Sequence, residues 1–268
     1  MKLRISREEF NPERTFFCGQ CFRWKQRGAF EGIAHGRRLV VTENGDTVEI
    51  GDFPENEEPL WREYFDLDTD YSEYIERLSS DETLRKACRA SAGIHILRQE
   101  PFETLISFII SQNNNIPRIS GIVGRLCEGF GEPTDDSGGF SFPTAKRLEG
   151  IEAGDLAPLR AGFRARYIAD AVSKVNSGEV DFAEINALPT DQARERLKTI
   201  VGVGDKVADC VLLFAFGKRD AFPKDVWVKR IMSEYYPNGL PDCTKGIEGI
   251  AQQYLFDYIR NIQNKVTE

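Results

Sequence analysis

The first fifty residues read as β structure. Phe16-Phe17, Cys21-Phe22 and Trp24 form an aromatic, strand-like stretch, and Arg38 to Glu43 and Thr47 to Ile50 flank Asn44-Gly45, a strong hairpin-turn signal. Residues 51–60 form an acidic connection, and from Trp61 onward the apolar period becomes helical. Ser80 is placed to cap a helix over Asp81 to Ala90. Pro101 opens an apolar helix, Phe102 to Ser111, which Asn113 to Asn115 can end because Asn tolerates left-handed backbone. Another helix starts near Pro117, residues 131–143 are a loop, and Thr190-Asp191 can cap a helix reaching Ile200. The last helix, Thr244 to Lys265, carries an apolar stripe at Ile247, Ile250, Ala251, Tyr254, Tyr258, Ile259 and Ile262. These elements predict an α+β chain: an N-terminal antiparallel sheet domain over residues 1–95, then a helical domain over 96–268, without internal repeats.

Composition changes this picture little. Hydrophobic residues make up 41% and charged residues 29%, which fits a chain with a real core and argues against disorder. No apolar run reaches the roughly 18 residues a membrane helix needs. Met1-Lys2-Leu3-Arg4-Ile5 turns polar at once, so no secretory segment is expected and the cytosol or a nucleus is the expected location. A monomer is the default.

Charge complicates it. The net charge of −8, taken whole, argues against nucleic acid as a partner. The acidity is local, however: thirteen Asp or Glu face two Arg between Glu49 and Glu82, whereas Leu159 to Arg230 holds thirteen Lys or Arg against ten acids. A basic face therefore remains available. The six cysteines include one Cys18-Gly-Gln-Cys21 pair, but no second Cys or His pair completes a zinc site, and no βαβ pattern supports a redox motif. No metal or cofactor is expected.

The stretch with most chemistry is Leu197-Lys-Thr-Ile-Val-Gly-Val-Gly-Asp-Lys206-Val-Ala-Asp-Cys210. Gly202-Val203-Gly204 makes a tight turn between two helical patterns. Two residues without Cβ let the backbone approach a ligand, and the N–H groups opening the second helix suit a phosphate. Such a site grips a DNA backbone without a large net positive charge. Lys206 sits near that helix start, where the helix dipole disfavours a cation and so favours an amine nucleophile. Further on, Pro223-Lys-Asp225 places Asp225 to cap a new helix, whose N–H groups hold its carboxylate ionised. Alone, each has a plain alternative: a solvated lysine and a structural cap.

Together, the helix, Gly-Val-Gly hairpin, helix and downstream Pro-x-Asp resemble the helix-hairpin-helix DNA glycosylase superfamily. Four further segments resemble its 8-oxoguanine DNA glycosylase family: Phe17-Cys-Gly-Gln-Cys-Phe-Arg-Trp24, Ile110-Ser-Gln-Asn-Asn-Asn-Ile-Pro-Arg-Ile119, Phe163-Arg-Ala-Arg-Tyr167 and Ala251-Gln-Gln-Tyr-Leu-Phe256. They run in family order and cover nearly the whole chain.

The resemblance implies a bifunctional glycosylase and lyase acting on double-stranded DNA that contains 8-oxoguanine. Lys206 is the implied nucleophile at C1′ and Asp225 the catalytic carboxylate. Gly19, Cys210, Gln252 and Phe256 match residues around the flipped base. There the Gly19 carbonyl tells 8-oxoguanine, with a hydrogen on N7, from guanine, whose N7 is an acceptor. Asn113, Arg118 and Arg164 match residues that read the cytosine opposite, and Phe163 matches the wedge in the opened stack. Gly202, Gly204, Lys206 and Trp227 fall where phosphates are held. The sequence departs from the family at Val201 (usually Pro), Lys224, Trp227 (His in some members) and Phe163, which lacks a tyrosine hydroxyl; none of these is Lys206 or Asp225. The alternatives are a glycosylase for another base, which does not need the lysine, a non-catalytic DNA-binding module using the hairpin alone, and a redox protein using Cys18 and Cys21.

Overall fold

The computed structural model describes residues 1–134 and 139–267, with side chains described as far as Arg260. The centre of the expected 131–143 loop and the Ile262 side chain lie outside the described residues. Five antiparallel strands form one sheet in the order β1-β5-β4-β3-β2: β1 (Lys2–Ser6), β2 (Lys25–Arg27), β3 (Ala29–Ala34), β4 (Arg37–Asn44) and β5 (Thr47–Gly51). Leu39, Val41, Val48 and Ile50 alternate with half-exposed neighbours and are buried, so one face of β4 and β5 enters the core. Asn44 pairs with Thr47, so the turn residues are Gly45 and Asp46, and Gly45 takes the positive φ of 60° that such a turn requires.

One expectation fails here. Phe16 and Phe17 are not in a strand but end a short helix, α1 (Pro12–Phe17), capped by Asn11, whose side chain accepts the Arg14 N–H. Proline at the first helical position and the Asn cap outweigh the β preference of two aromatics. Phe16 then stacks on Trp24 at 3.9 Å, so the aromatic run is core packing. Cys18 to Trp24 is a loop, and both cysteines of the pair are buried and free.

The helices are α2 (Glu58–Tyr64), α3 (Tyr71–Leu78), α4 (Glu82–Ala90), α5 (Pro101–Ser111), α6 (Ile116–Phe130), α7 (Arg164–Ser177), α8 (Phe182–Ala187), α9 (Thr190–Leu197), α10 (Asp205–Phe214), α11 (Val226–Tyr235) and α12 (Glu248–Thr267). Three expected starts move. Asp81, not Ser80, caps α4 by accepting the Leu84 N–H at 2.9 Å. Pro189 precedes α9, and Thr190 instead donates to Asp220. Thr244 belongs to a separate single turn ahead of α12.

Two buried clusters result. One joins the sheet, α1 and α2, around Trp61, Phe65 and Phe10. The other joins α3 to α12 around Leu105, Ile109, Val211 and Tyr254. Helices α3 and α4 thus pack with the helical core although they lie before residue 95. The last helix reaches across to the sheet cluster, because Arg260 donates to the carbonyl of Phe17, which packs against that cluster, while Gln253 Nε2 donates to the Cys18 carbonyl at 2.9 Å.

Candidate active site

The hairpin between α9 and α10 rests on α7. Gly202 has φ of 80°, and a Cβ there would lie 2.4 Å from Tyr167 Cδ2. The Val201 N–H donates to Asp170 Oδ2 at 2.7 Å, and Lys174 donates to the Thr199 carbonyl. The Phe163-to-Tyr167 motif and the hairpin therefore belong to one unit. Gly204 caps α10 without a side chain, leaving the opening N–H groups of that helix clear for an anion.

Lys206, in the first turn of α10, lines a cleft of about 680 Å³ together with Asp225, Ser111, Asn113, Trp227, Gly19 and Phe256. The cleft is basic within an acidic protein. Lys206, Lys224, Lys229 and Arg260 line it against Asp225 as the one carboxylate in the lining. Lys206 Nζ lies 3.0 Å from Ser111 Oγ and 5.0 Å from the centre of the Phe108 ring. Asp225 caps α11, its Oδ1 accepting the Val228 N–H at 2.8 Å, and the cap does not use the second oxygen.

The opposite wall is the Cys18–Cys21 loop. Gly19 has φ of 84°, and the Phe256 ring rests against it. Gln20, fully buried, braces this loop: its Nε2 donates to the Thr15 and His95 carbonyls, and its Oε1 accepts the Leu97 N–H. Gln253 holds the Cys18 carbonyl, and Arg260 donates to the Phe17 carbonyl while lying over the Phe256 ring. Gln252 and Cys210 are buried, and neither is among the residues that line the cleft. The Gln252 Oε1 has no hydrogen-bond partner, an arrangement that costs about 1–3 kcal/mol unless a ligand satisfies it. Burial pushes the Cys210 thiol up to about 12, with Lys206 pulling the other way, so it is a neutral thiol beside the lysine.

Outside the lining, Phe163 is 47% exposed at the start of α7. Asn113 takes a left-handed φ of 48° and is exposed, and Arg118 is exposed on the first turn of α6. Arg164, expected beside the opposite cytosine, faces the protein instead. It is buried, and it donates to the Gln112, Asn113 and Ala161 carbonyls. Its donors are spent on the end of α5, because that helix terminus leaves carbonyls that need partners. Burial, then the Arg118 charge, lowers its pKa. Trp227 lines the cleft with Arg230 over its ring.

Sequence reasoning missed Ser111, Gln253 and Arg260. Ser111 lies inside the quoted triple-Asn segment, but nothing local to it signals a contact with a lysine 95 positions away.

Residues 106–248 match the model for the HhH-GPD superfamily base excision DNA repair protein, and residues 2–105 match the 8-oxoguanine DNA glycosylase N-terminal domain. Fold and site thus define a base excision repair protein of the helix-hairpin-helix class. The N-glycosylase/DNA lyase of Saccharomyces cerevisiae is 33% identical over 269 residues, spanning 88% of this chain and 70% of the relative. The 8-oxoguanine glycosylase/lyase of Clostridium acetobutylicum, solved with double-stranded DNA carrying cytosine opposite 8-oxoguanine, is 39% identical, with a TM-score of 0.89 over 95% of this chain and 93% of that one. The chain belongs to the 8-oxoguanine DNA glycosylase family. A 3-methyladenine glycosylase from Archaeoglobus fulgidus, at 21% identity and a TM-score of 0.73, shares the fold, so the fold alone does not choose the base.

Proposed function

We propose that this chain excises 8-oxoguanine from duplex DNA and then nicks the strand at the resulting site. The observation that carries this reading is Lys206: a lysine presented by the hairpin helix into a basic cleft, beside a carboxylate that is not its ion-pair partner. The flipped nucleotide enters the cleft. The Lys206 nitrogen attacks C1′ with its lone pair, the C1′–N9 bond breaks, and its electron pair leaves with the base. One proton of the amine goes to the departing base and the other to O4′ as the C1′–O4′ bond breaks and the ring opens to a Schiff base, and loss of a C2′ proton then expels the 3′ phosphate. Asp225 stabilises the positive charge that develops on the sugar. Gly19 and Gln252 read the base, with Phe256 and Cys210 at its faces; the unsatisfied Gln252 oxygen supports that assignment. The hairpin, with Gly202 and Gly204, and Trp227 hold the backbone. Asn113, Arg118 and Phe163 surround the gap and the base opposite, and Arg164 holds the backbone of the loop that carries Asn113. The protein acts where chromosomal DNA is.

Borohydride trapping on an 8-oxoguanine duplex tests this. The wild-type chain should cross-link, because borohydride reduces a Schiff base to a stable amine. Lys206→Gln keeps a polar side chain of similar reach but no amine, so it should bind the duplex and neither cut nor cross-link. Turnover by that variant would overturn the mechanism, and failure of the wild type to cross-link would favour a non-catalytic module.

A further inference from the structure

Lys206 does not stand free in the cleft; α5 provides a seat for it. Ser111 Oγ lies 3.0 Å from Nζ, and the same hydroxyl lies 2.8 Å from the Phe108 carbonyl. A hydroxyl carries one proton, and a carbonyl can only accept. The Ser111 proton therefore goes to Phe108, and toward the lysine its oxygen acts as acceptor. One N–H of Lys206 is thereby committed to Ser111. The Phe108 ring, one helical turn earlier, lies 5.0 Å from Nζ and borders the amine on another side.

The position of Ser111 is itself fixed. It is the last residue of α5, and the carbonyls of the next two residues, Gln112 and Asn113, are held by the Arg164 guanidinium. A buried arginine, a helix end, a hydroxyl and the reactive amine form one connected series from α7 to α10.

We infer that Ser111 is a positioning residue for Lys206: by accepting one N–H it fixes rotation about Cε–Nζ and leaves the nitrogen lone pair turned toward the cleft, where C1′ arrives. This rests on Lys206 being the nucleophile. A neutral amine has two N–H bonds and one lone pair; tethering one N–H restricts where the lone pair can point before the sugar is bound. Misplacement of a reacting group by about 1 Å costs on the order of 100-fold in rate. A serine that merely bonds back to its own helix would produce no such effect.

Ser111→Ala removes the acceptor, and Ser111→Thr keeps it. Single-turnover excision, trapping yield, duplex affinity and melting temperature are read for both variants beside wild type and Lys206→Gln. The alanine variant should excise and cross-link roughly 10- to 100-fold more slowly, with duplex affinity and melting temperature close to wild type. The threonine variant should recover most of the rate. An alanine variant at wild-type rate, or one whose rate falls only in step with its affinity or melting temperature, would overturn the inference and leave the Lys206 reading intact. Cross-linking by Lys206→Gln would overturn both.

Discussion

Asp225 lines the cleft and accepts the Val228 N–H through one carboxylate oxygen. Asn caps helices nearly as well as Asp. Asp225→Asn should therefore keep its melting temperature and lose about 100-fold or more in single-turnover excision, as charge stabilisation of a developing cation predicts. A joint loss of stability and activity would leave only a structural cap. Arg118 is exposed, whereas Arg164 spends its donors on carbonyls, so Arg118 is the arginine proposed to read the base opposite. Unpaired cytosine offers O2 and N3 as acceptors to an arginine, whereas adenine offers N1 alone and has no acceptor in place of O2. Cleavage opposite cytosine should exceed cleavage opposite adenine by roughly ten- to hundredfold per contact. Arg118→Ala should narrow that ratio more than it slows cutting opposite cytosine; cutting of both pairs at equal rates by the wild type would remove this role from Arg118. The cap at Asp225 was legible because it depends on residues three apart. The inward turn of Arg164 was not, because its partners lie 51 and 52 positions away.

The hairpin joins α9 to α10 as an element whose shape depends on one backbone angle. Gly202→Ala places a methyl on φ of 80° and against the Tyr167 ring at 2.4 Å. Strain of this kind costs roughly 1–3 kcal/mol. The variant should bind duplex DNA, lesion or not, about tenfold more weakly in fluorescence anisotropy, and its preference for the lesion should persist. Unchanged affinity would mean that the hairpin does not hold the backbone. Its two glycines and flanking helices were readable from sequence because a tight turn has few chemical solutions. The same local logic picked the wrong residue at α4 and α9, where Ser80 and Thr190 stand next to other residues able to occupy the cap position. For α1, two adjacent phenylalanines suggested a strand, and Asn11 and Pro12, which set the helix, went unused.

Across the molecule, the net charge of −8 and the basic cleft are reconciled by place: the acids concentrate between residues 49 and 82, and the cleft is lined from other segments. Among the described residues, no helix is long and apolar enough to cross a membrane. The sheet unit and the helical unit share a buried ion pair, Arg23 with Glu103 at 3.1 Å, and Arg23 also donates to the Phe140 carbonyl. Burial raises the Glu103 carboxyl to about 7, against the pull of Arg23. A folded pKa above the unfolded value of about 4.3 means the folded chain holds this proton more tightly. The stability it contributes is complete below about pH 4.3 and is lost as pH rises through about 7. The melting temperature of the wild type relative to Glu103→Gln, which has nothing to titrate there, should fall between pH 5 and pH 8. A constant difference would place the Glu103 pKa outside that window. Contacts of this reach leave no trace in local sequence, which is why the two-part architecture was legible and its joints were not. One such joint, Gln253 to the Cys18 carbonyl, spans 235 positions and holds the loop proposed to read the base. A ribosome releases the hairpin and Lys206 before it releases Gln252, Gln253 and Phe256. During synthesis Gly19 and Lys206 therefore both precede the helix that completes their cleft, and the arrival of α12, which brings Phe256 against Gly19, is the last step in building the proposed base pocket.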